Sequence, residues 1–349
     1  MTTAIRPKTE PQTLRLRDII RTIPRDCFQP NMWRAVGTVI FSVAMAVLGY
    51  VTLIFNPSPW LLPFEWIFTG TALTGWFVIG HDCGHRSFAR KLWVNNLVGT
   101  VMFLPLIFPF HGWRLGHDRH HRYTNHIEFD NAWRPFSQVE FTEASGLIRS
   151  AYKLTRTGLW WMASTLHWAR THFINPELLE PRGKRDRHQF YQSAIIVVVF
   201  GATALPALTY FTGWWGLVKF WLMPWLVFHF WLSTFTIVHH THPDISFKTA
   251  AEWNAAEAQL SGTVHCDYPA WVEWLCHDIN VHIPHHVSTG IPSYHLRAAD
   301  RALQDKFGDR MVRTKFDWTL MSQVLGLCHL WGDRKPYQTF REYEAARQM

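Results

Sequence analysis

Apolar residues fall in five long runs separated by polar stretches, and the runs are long enough to dictate architecture. Ala35–Phe55 is apolar and uncharged over a length that crosses a bilayer. The turn sequence Asn56-Pro57-Ser58-Pro59 follows. Trp60–Gly80 is the second run; its one charge is Glu65, and Trp60 and Trp66 suit a membrane interface. Leu92–Phe110 is a poorer third run, holding Asn95, Asn96, Pro105 and Pro109. Phe190–Phe211 and Gly213–Val238 are the fourth and fifth, with Pro206, Lys219 and Pro224 among them. Residues 111–189 are polar, basic and rich in histidine. Residues 239–349 read as water-facing, with helical periodicity over Arg297–Phe307.

Loop charge orients these runs. Residues 1–34 carry Arg6, Lys8, Arg15, Arg17, Arg21, Arg25 and Arg34, and the loop after the third run carries twelve Lys and Arg from Arg114 to Arg187. The connections near 56–60 and 211–215 carry none. The positive-inside rule places both termini and the large loop in the cytoplasm. Four crossings in two hairpins result, with spans at about 35–55, 60–80, 190–211 and 215–238. Leu92–Phe110 then cannot be a single crossing, because His81 and His117 would end on opposite faces. Its prolines and asparagines suit a re-entrant or interfacial segment.

The expected fold is thus an all-α integral membrane protein: four transmembrane helices in two hairpins, a re-entrant or interfacial segment at 92–110, and a cytoplasmic helical cap. The expected divisions are an N-terminal arm over 1–31, a membrane domain over 32–310 and a C-terminal tail over 311–349. A mean hydropathy of −0.07 fits a few spans joined to a large water-facing part. The formal charge of +8 suits an anionic membrane surface or an acidic partner. Nucleic acid is the weaker reading, since the basic residues are scattered through loops. The five cysteines form no C-x-x-C pair, which points to a reducing compartment. The opening MTTAIRPKTEPQ has no apolar core, so no cleaved signal peptide is expected.

The 21 histidines change the picture most. Three clusters stand at the ends of apolar runs, on one predicted face: His81-Asp-Cys-Gly-His85, His117-Asp-Arg-His120-His121 and His282-Ile-Pro-His285-His286. Helical neighbours at i+3 and i+4 share a face, so each cluster can aim its imidazoles together. Pro284 is best tolerated in a first turn, so His282 is expected just before a helix carrying His285 and His286. One i, i+4 pair on a surface is usually solvated. A chain of this histidine content yields even one H-x-x-H-H by chance in fewer than about one case in ten, and two far less often.

Eight imidazoles exceed the four that one zinc takes, so two metals are the natural count. Imidazole suits Zn, Cu, Fe and Ni. Asp82, Asp118 and Asp278 are candidates for orienting imidazoles through their free N–H, with solvated or capping roles equally open. A ninth ligand is expected where the fifth run ends, at His240 first and His242 second, while His239 could equally face water. Substituting His172 should do little.

These residues carry a resemblance to a known family. The three clusters in this order, with apolar hairpins between and around them, resemble the membrane fatty-acid desaturases. The flanks Trp113-Arg-x-x-His117, Thr124-Asn125, Asn131-Ala-Trp133 and Ile291-Pro-Ser-Tyr294-His-Leu-Arg-Ala-Ala299 are similar to the Δ12 (ω-6) acyl-lipid desaturases of cyanobacteria and plastids. The resemblance covers residues 30–310. It implies an oleoyl chain on a membrane glycerolipid as substrate, linoleoyl as product, O2 as oxidant, ferredoxin as electron donor and two Fe ions on the cluster histidines. It also implies a thylakoid or plasma membrane, with the active site facing the cytoplasm. Chemistry agrees: an unactivated methylene offers no acidic proton and no electrophilic atom, so side chains alone cannot cleave it. The chain has no iron–sulfur cysteine pattern and no flavin or nicotinamide fingerprint, so electrons must arrive from another protein. An ω-3 desaturase, a hydroxylase and a carotenoid ketolase on the same scaffold stay open, as does oligomeric state. A metal transporter or sensor fits poorly, because the metal-type residues lie outside the spans.

Overall fold

The computed structural model describes residues 14–175, 183–332 and 335–348, so the first thirteen residues of the expected N-terminal arm lie outside the described residues. The chain is mostly helical. Met32–Ile54 opens on Asn31, whose side chain accepts from the backbone N–H groups of Trp33 and Arg34 and satisfies two of the free donors at a helix start. Its outer residues, such as Ile40, Val47 and Ile54, are exposed, while its inner stripe is small: Ser42, Ala46 and Gly49. That stripe lets the helix Leu62–Gly84 approach closely, with Gly49 against Thr69.

Leu62–Gly84 is buried along nearly its whole second half. It is enclosed by Met32–Ile54, by Leu92–Phe103 and by Met223–His240. Gly80 lies directly under the Phe103 ring, where any β-carbon would collide. Leu92–Phe103 continues as a short 3-10 turn, breaks at Ile107 (φ 52), and restarts as Phe110–Arg122 after a bend of 104°. Pro105 and Pro109 account for the break, since proline removes a backbone donor inside a helix. His85 before this segment and His117 near its end meet in one cluster, so the segment starts and finishes at the same level.

The last apolar stretch is a helical run over Gly183–His240, interrupted at Gly213 (φ 70, ψ 176). Gln189 at its start meets Arg114, and His240 at its end meets His120. Both ends therefore return to the helix Phe110–Arg122, and the run is a hairpin turning at Gly213. Among the described residues, two stretches are long and apolar enough to cross a membrane, Met32–Ile54 and Gly183–His240, or three if the bent pair is one span.

The polar remainder forms a cap. The short helices Ala255–Ser261 and His282–Val287, the helix Leu296–Phe307 and the N-terminal turn Leu16–Ile20 share one apolar core of Ile19, Ile23, Cys27, Leu260, Ile283 and Leu303. Residues 14–28 are thus packed into the cap instead of standing apart as an arm. The expected tail is likewise integrated: Val312–Lys315 pairs in parallel with Val264–Asp267, and Leu320, Met321 and Val324 pack beside Trp231 and Phe235. Burying these side chains outweighs the gain in chain freedom from leaving either segment loose.

Candidate metal centre

Three elements deliver the clustered histidines, each by its helical period. The end of Leu62–Gly84 presents His81, with His85 as the residue closing the helix. On Phe110–Arg122, His117 and His121 lie four apart on one face while His120 is turned toward another. His282–Val287 begins at His282, with Pro284 in its first turn, and aims His285 and His286 to opposite sides. A fourth contribution, His240, is the last residue of Met223–His240.

The result is two adjoining groups. Ring nitrogens of His81, His85, His117, His121 and His285 lie within 4.8 Å of one another, as do those of His120, His240 and His286. His282 adjoins the second group, its Nε2 3.0 Å from that of His240. The groups touch through the stacked rings of His121 and His286, 4.2 Å apart. His242 is not gathered in. It follows the extended residue Thr241, and its Nδ1 lies 3.5 Å from Asp244. His239, which had the option of facing water, is fully buried against His282, because the cap covers the end of its helix.

The donor set fits metal. The Nε2 atoms of His117, His121, His285 and His81 follow one another at 3.1, 3.0 and 3.1 Å. Each Nε2 carries either one hydrogen or one lone pair, so hydrogen bonds account for at most two of these three contacts, whereas a cation draws on every lone pair at once. Nε2 of His85, His120 and His286 is buried with no hydrogen-bond partner among the described residues. Burial, reinforced by neighbouring imidazoles, holds His282, His285 and His286 well below the ordinary histidine range. They are neutral at pH 7, the form that ligates metal.

Outer contacts orient several rings. Asp130 accepts from His120 Nδ1 at 2.7 Å and from the Asn125 backbone N–H at 2.7 Å. Gln259 Oε1 meets His286 Nδ1 at 3.0 Å, and its Nε2 donates to the His121 carbonyl. Asp82 lies 3.4 Å from His81 Nδ1 and accepts from the Ser293 backbone N–H. Asp118 and Asp278 instead pair with Arg114 (3.0 Å) and Arg297 (2.6 Å). Asp130 and Gln259 are the site residues that the sequence reading missed. Asp130 had a signal, lying between Thr124-Asn125 and Asn131-Ala-Trp133; Gln259 had none.

Toward the apolar helices the site is walled by aromatic rings. Trp113 stacks on His117 (4.5 Å) and meets Phe77 and Phe103, which continue to Phe108 and Phe228. Imidazoles on one side and a dry aromatic wall on the other suit a redox metal acting on an apolar substrate.

The fatty acid desaturase family model matches residues 57–317. The chain is 54% identical over 327 residues to the sn-1 oleoyl-lipid 12-desaturase of Synechocystis sp., covering 94% of this chain and 92% of that one. It is 50% identical over 346 residues to the protein of the same name from Anabaena variabilis, covering 98% and 97%. It is 46% identical over 336 residues to the chloroplastic omega-6 fatty acid desaturase of Spinacia oleracea, covering 95% and 73%.

Proposed function

This chain belongs to the fatty acid desaturase family, and from that premise we propose that it introduces the Δ12 double bond into an oleoyl chain esterified in a membrane glycerolipid. The cyanobacterial relatives' names favour the sn-1 chain. The reaction removes one hydrogen from each of two adjacent carbons; O2, two electrons and two protons complete the balance, giving linoleoyl and two waters.

The observation that carries the reading is the pair of imidazole groups, one buried and one partly buried, set against an aromatic wall. His81, His85, His117, His121 and His285 would hold one iron, and His120, His240, His282 and His286 the other. Bound iron would supply activation of O2, the chemistry that an unactivated methylene requires. The chain's own residues do the rest. Asp130, Gln259 and Asp82 fix ring tautomers and directions. Trp113, Phe77, Phe103, Phe108 and Phe228 exclude water and steer an apolar chain toward the imidazoles.

The membrane arrangement proposed is four crossings. Each hairpin opens at the cap, where Tyr294 accepts from the backbone N–H of Asn31 at the start of the first helix. Leu92–Arg122 is a re-entrant excursion, and the cap faces the cytoplasm. Electrons come from ferredoxin, drawn to the basic surface, in a thylakoid or plasma membrane.

Expression in a host rich in oleate and lacking linoleate, with ferredoxin supplied, tests the reading. Gas chromatography of the lipids should show O2-dependent linoleate. A hydroxylated or ω-3 product, or no new product from iron-loaded protein, overturns the Δ12 assignment.

A further inference from the structure

Beside the metal groups lies a second polar site that the chemistry above does not use. A cavity of about 90 Å³ opens where the helix Leu62–Gly84 ends and where Leu92–Phe103, Phe110–Arg122 and Gly183–Leu217 begin. Arg86, Arg114, Arg185, Asn96 and His111 line it, together with the acidic Asp186. Arg114 is committed: it donates to Asp118 and Gln189 and lies 3.9 Å from Asp186. Arg86 and Arg185 are exposed and form no salt bridge within 4.0 Å among the described residues, although Arg86 is near enough to Asp118 to favour its charged form. His111 is 7% exposed, and its Nδ1 has no hydrogen-bond partner among the described residues. Arg90, Lys91 and Lys184, all exposed, stand next to the rim in sequence. Even counting both Asp118 and Asp186, the cavity keeps a positive balance.

Its depth is informative. Gly183–Leu217 changes at this level from the charged stretch Lys184–Gln189 to the apolar residues from Phe190 onward. Leu92–Phe103 starts here with Leu92 and Trp93 exposed, an interfacial pattern. Cys83 and Gly84, between His81 and His85, form part of the cavity wall. A group bound here would lie where charged sequence gives way to apolar sequence, beside the helix end that carries His81 and His85.

We propose that this cavity receives the anionic oxyanion, phosphate or sulfonate, of a glycerolipid headgroup, with Arg86 and Arg185 as the charged donors and His111 and Asn96 as neutral ones. The proposal rests on the lipid-desaturase reading and adds that an anionic headgroup anchors the substrate beside the imidazoles.

Calorimetric titration of purified full-length protein in neutral detergent tests it. The probes are dioctanoyl phosphatidylglycerol, a neutral galactolipid with the same chains, and inorganic phosphate. The anionic lipid should bind at least about tenfold tighter than the neutral one, and the Arg86→Gln/Arg185→Gln variant should lose about that factor. Arg185→Lys should restore part of it over Arg185→Gln. Equal binding of both lipids, an unaffected double variant, or phosphate binding as tightly as the anionic lipid overturns the proposal. If the host accumulates linoleate while binding is blind to charge, only this inference fails. If no linoleate forms, the functional reading fails, and the titration still decides whether the cavity is an anion site.

Discussion

Asp130 is the residue on which the second metal group turns. Its carboxylate holds His120 Nδ1 at 2.7 Å and is itself held by backbone N–H groups of Asn125 and Ala132. Replacing it by Asn keeps the shape but removes the charge that fixes the ring. Asp130→Asn should lower iron content and cost about 10–100-fold in activity. Asp118→Asn, which loses only an ion pair to Arg114, should do much less; equal losses in metal analysis would remove Asp130 from the centre. His240→Ala should lower iron content, and His242→Ala should leave it unchanged; the reverse pattern would show that the ninth ligand is misplaced. The eight clustered histidines were legible because helical spacing is local. Asp130 was not, because it meets His120 only after the chain reverses at Asn125, whose φ of 58 no periodicity announces. Asp278, for which an orienting and a solvated role both stood open, takes neither and pairs with Arg297. Its own left-handed backbone (φ 56) turns it to Arg297.

Elements were read well where one physical signal dominated. Long apolar runs announced the helices Met32–Ile54 and Gly183–His240, and prolines announced the break before Phe110. The packing of residues 14–28 was missed although Ile19, Ile23 and Cys27 recur every fourth position, since nearby prolines suggested an arm. The parallel pairing of Val264–Asp267 with Val312–Lys315 joins segments too far apart for any local pattern to show. Gly80 gives a test at this scale. Gly80→Val places atoms where the Phe103 ring lies, and should cost about 1–3 kcal/mol in thermal unfolding. A neutral effect would show that the two helices are not in close contact. Asp300 gives a second test, in the cap. Burial alone pushes its carboxyl up, but His265 and the two hydrogen bonds from Arg313 (2.8 and 3.0 Å) bring it below its ordinary value. The charged form is therefore favoured by folding. The stability it adds is present above the unfolded carboxyl value near 4 and is lost as pH falls through the lower folded value. Asp300→Asn should unfold about 1–3 kcal/mol more easily at pH 7. Its stability should change less than the wild type's between pH 5 and pH 3, and parallel profiles would contradict the assignment.

At the scale of the whole molecule, long apolar helices meet a polar layer at a surface lined with imidazoles, and aromatic rings join that surface to the helices. Accessibility labelling of single cysteines placed at Ser58 and Gly213 should mark the face opposite to one placed at Thr249 in the cap. Labelling of all three from one side would rule out the paired hairpins. Nine histidines are proposed to hold two irons. Elemental analysis of the purified, full-length protein, with O2-dependent linoleate formation measured on the same sample, tests this. Two irons per chain are expected, lost together with activity in His120→Ala and His285→Ala. One zinc per chain with no O2-dependent product would contradict it.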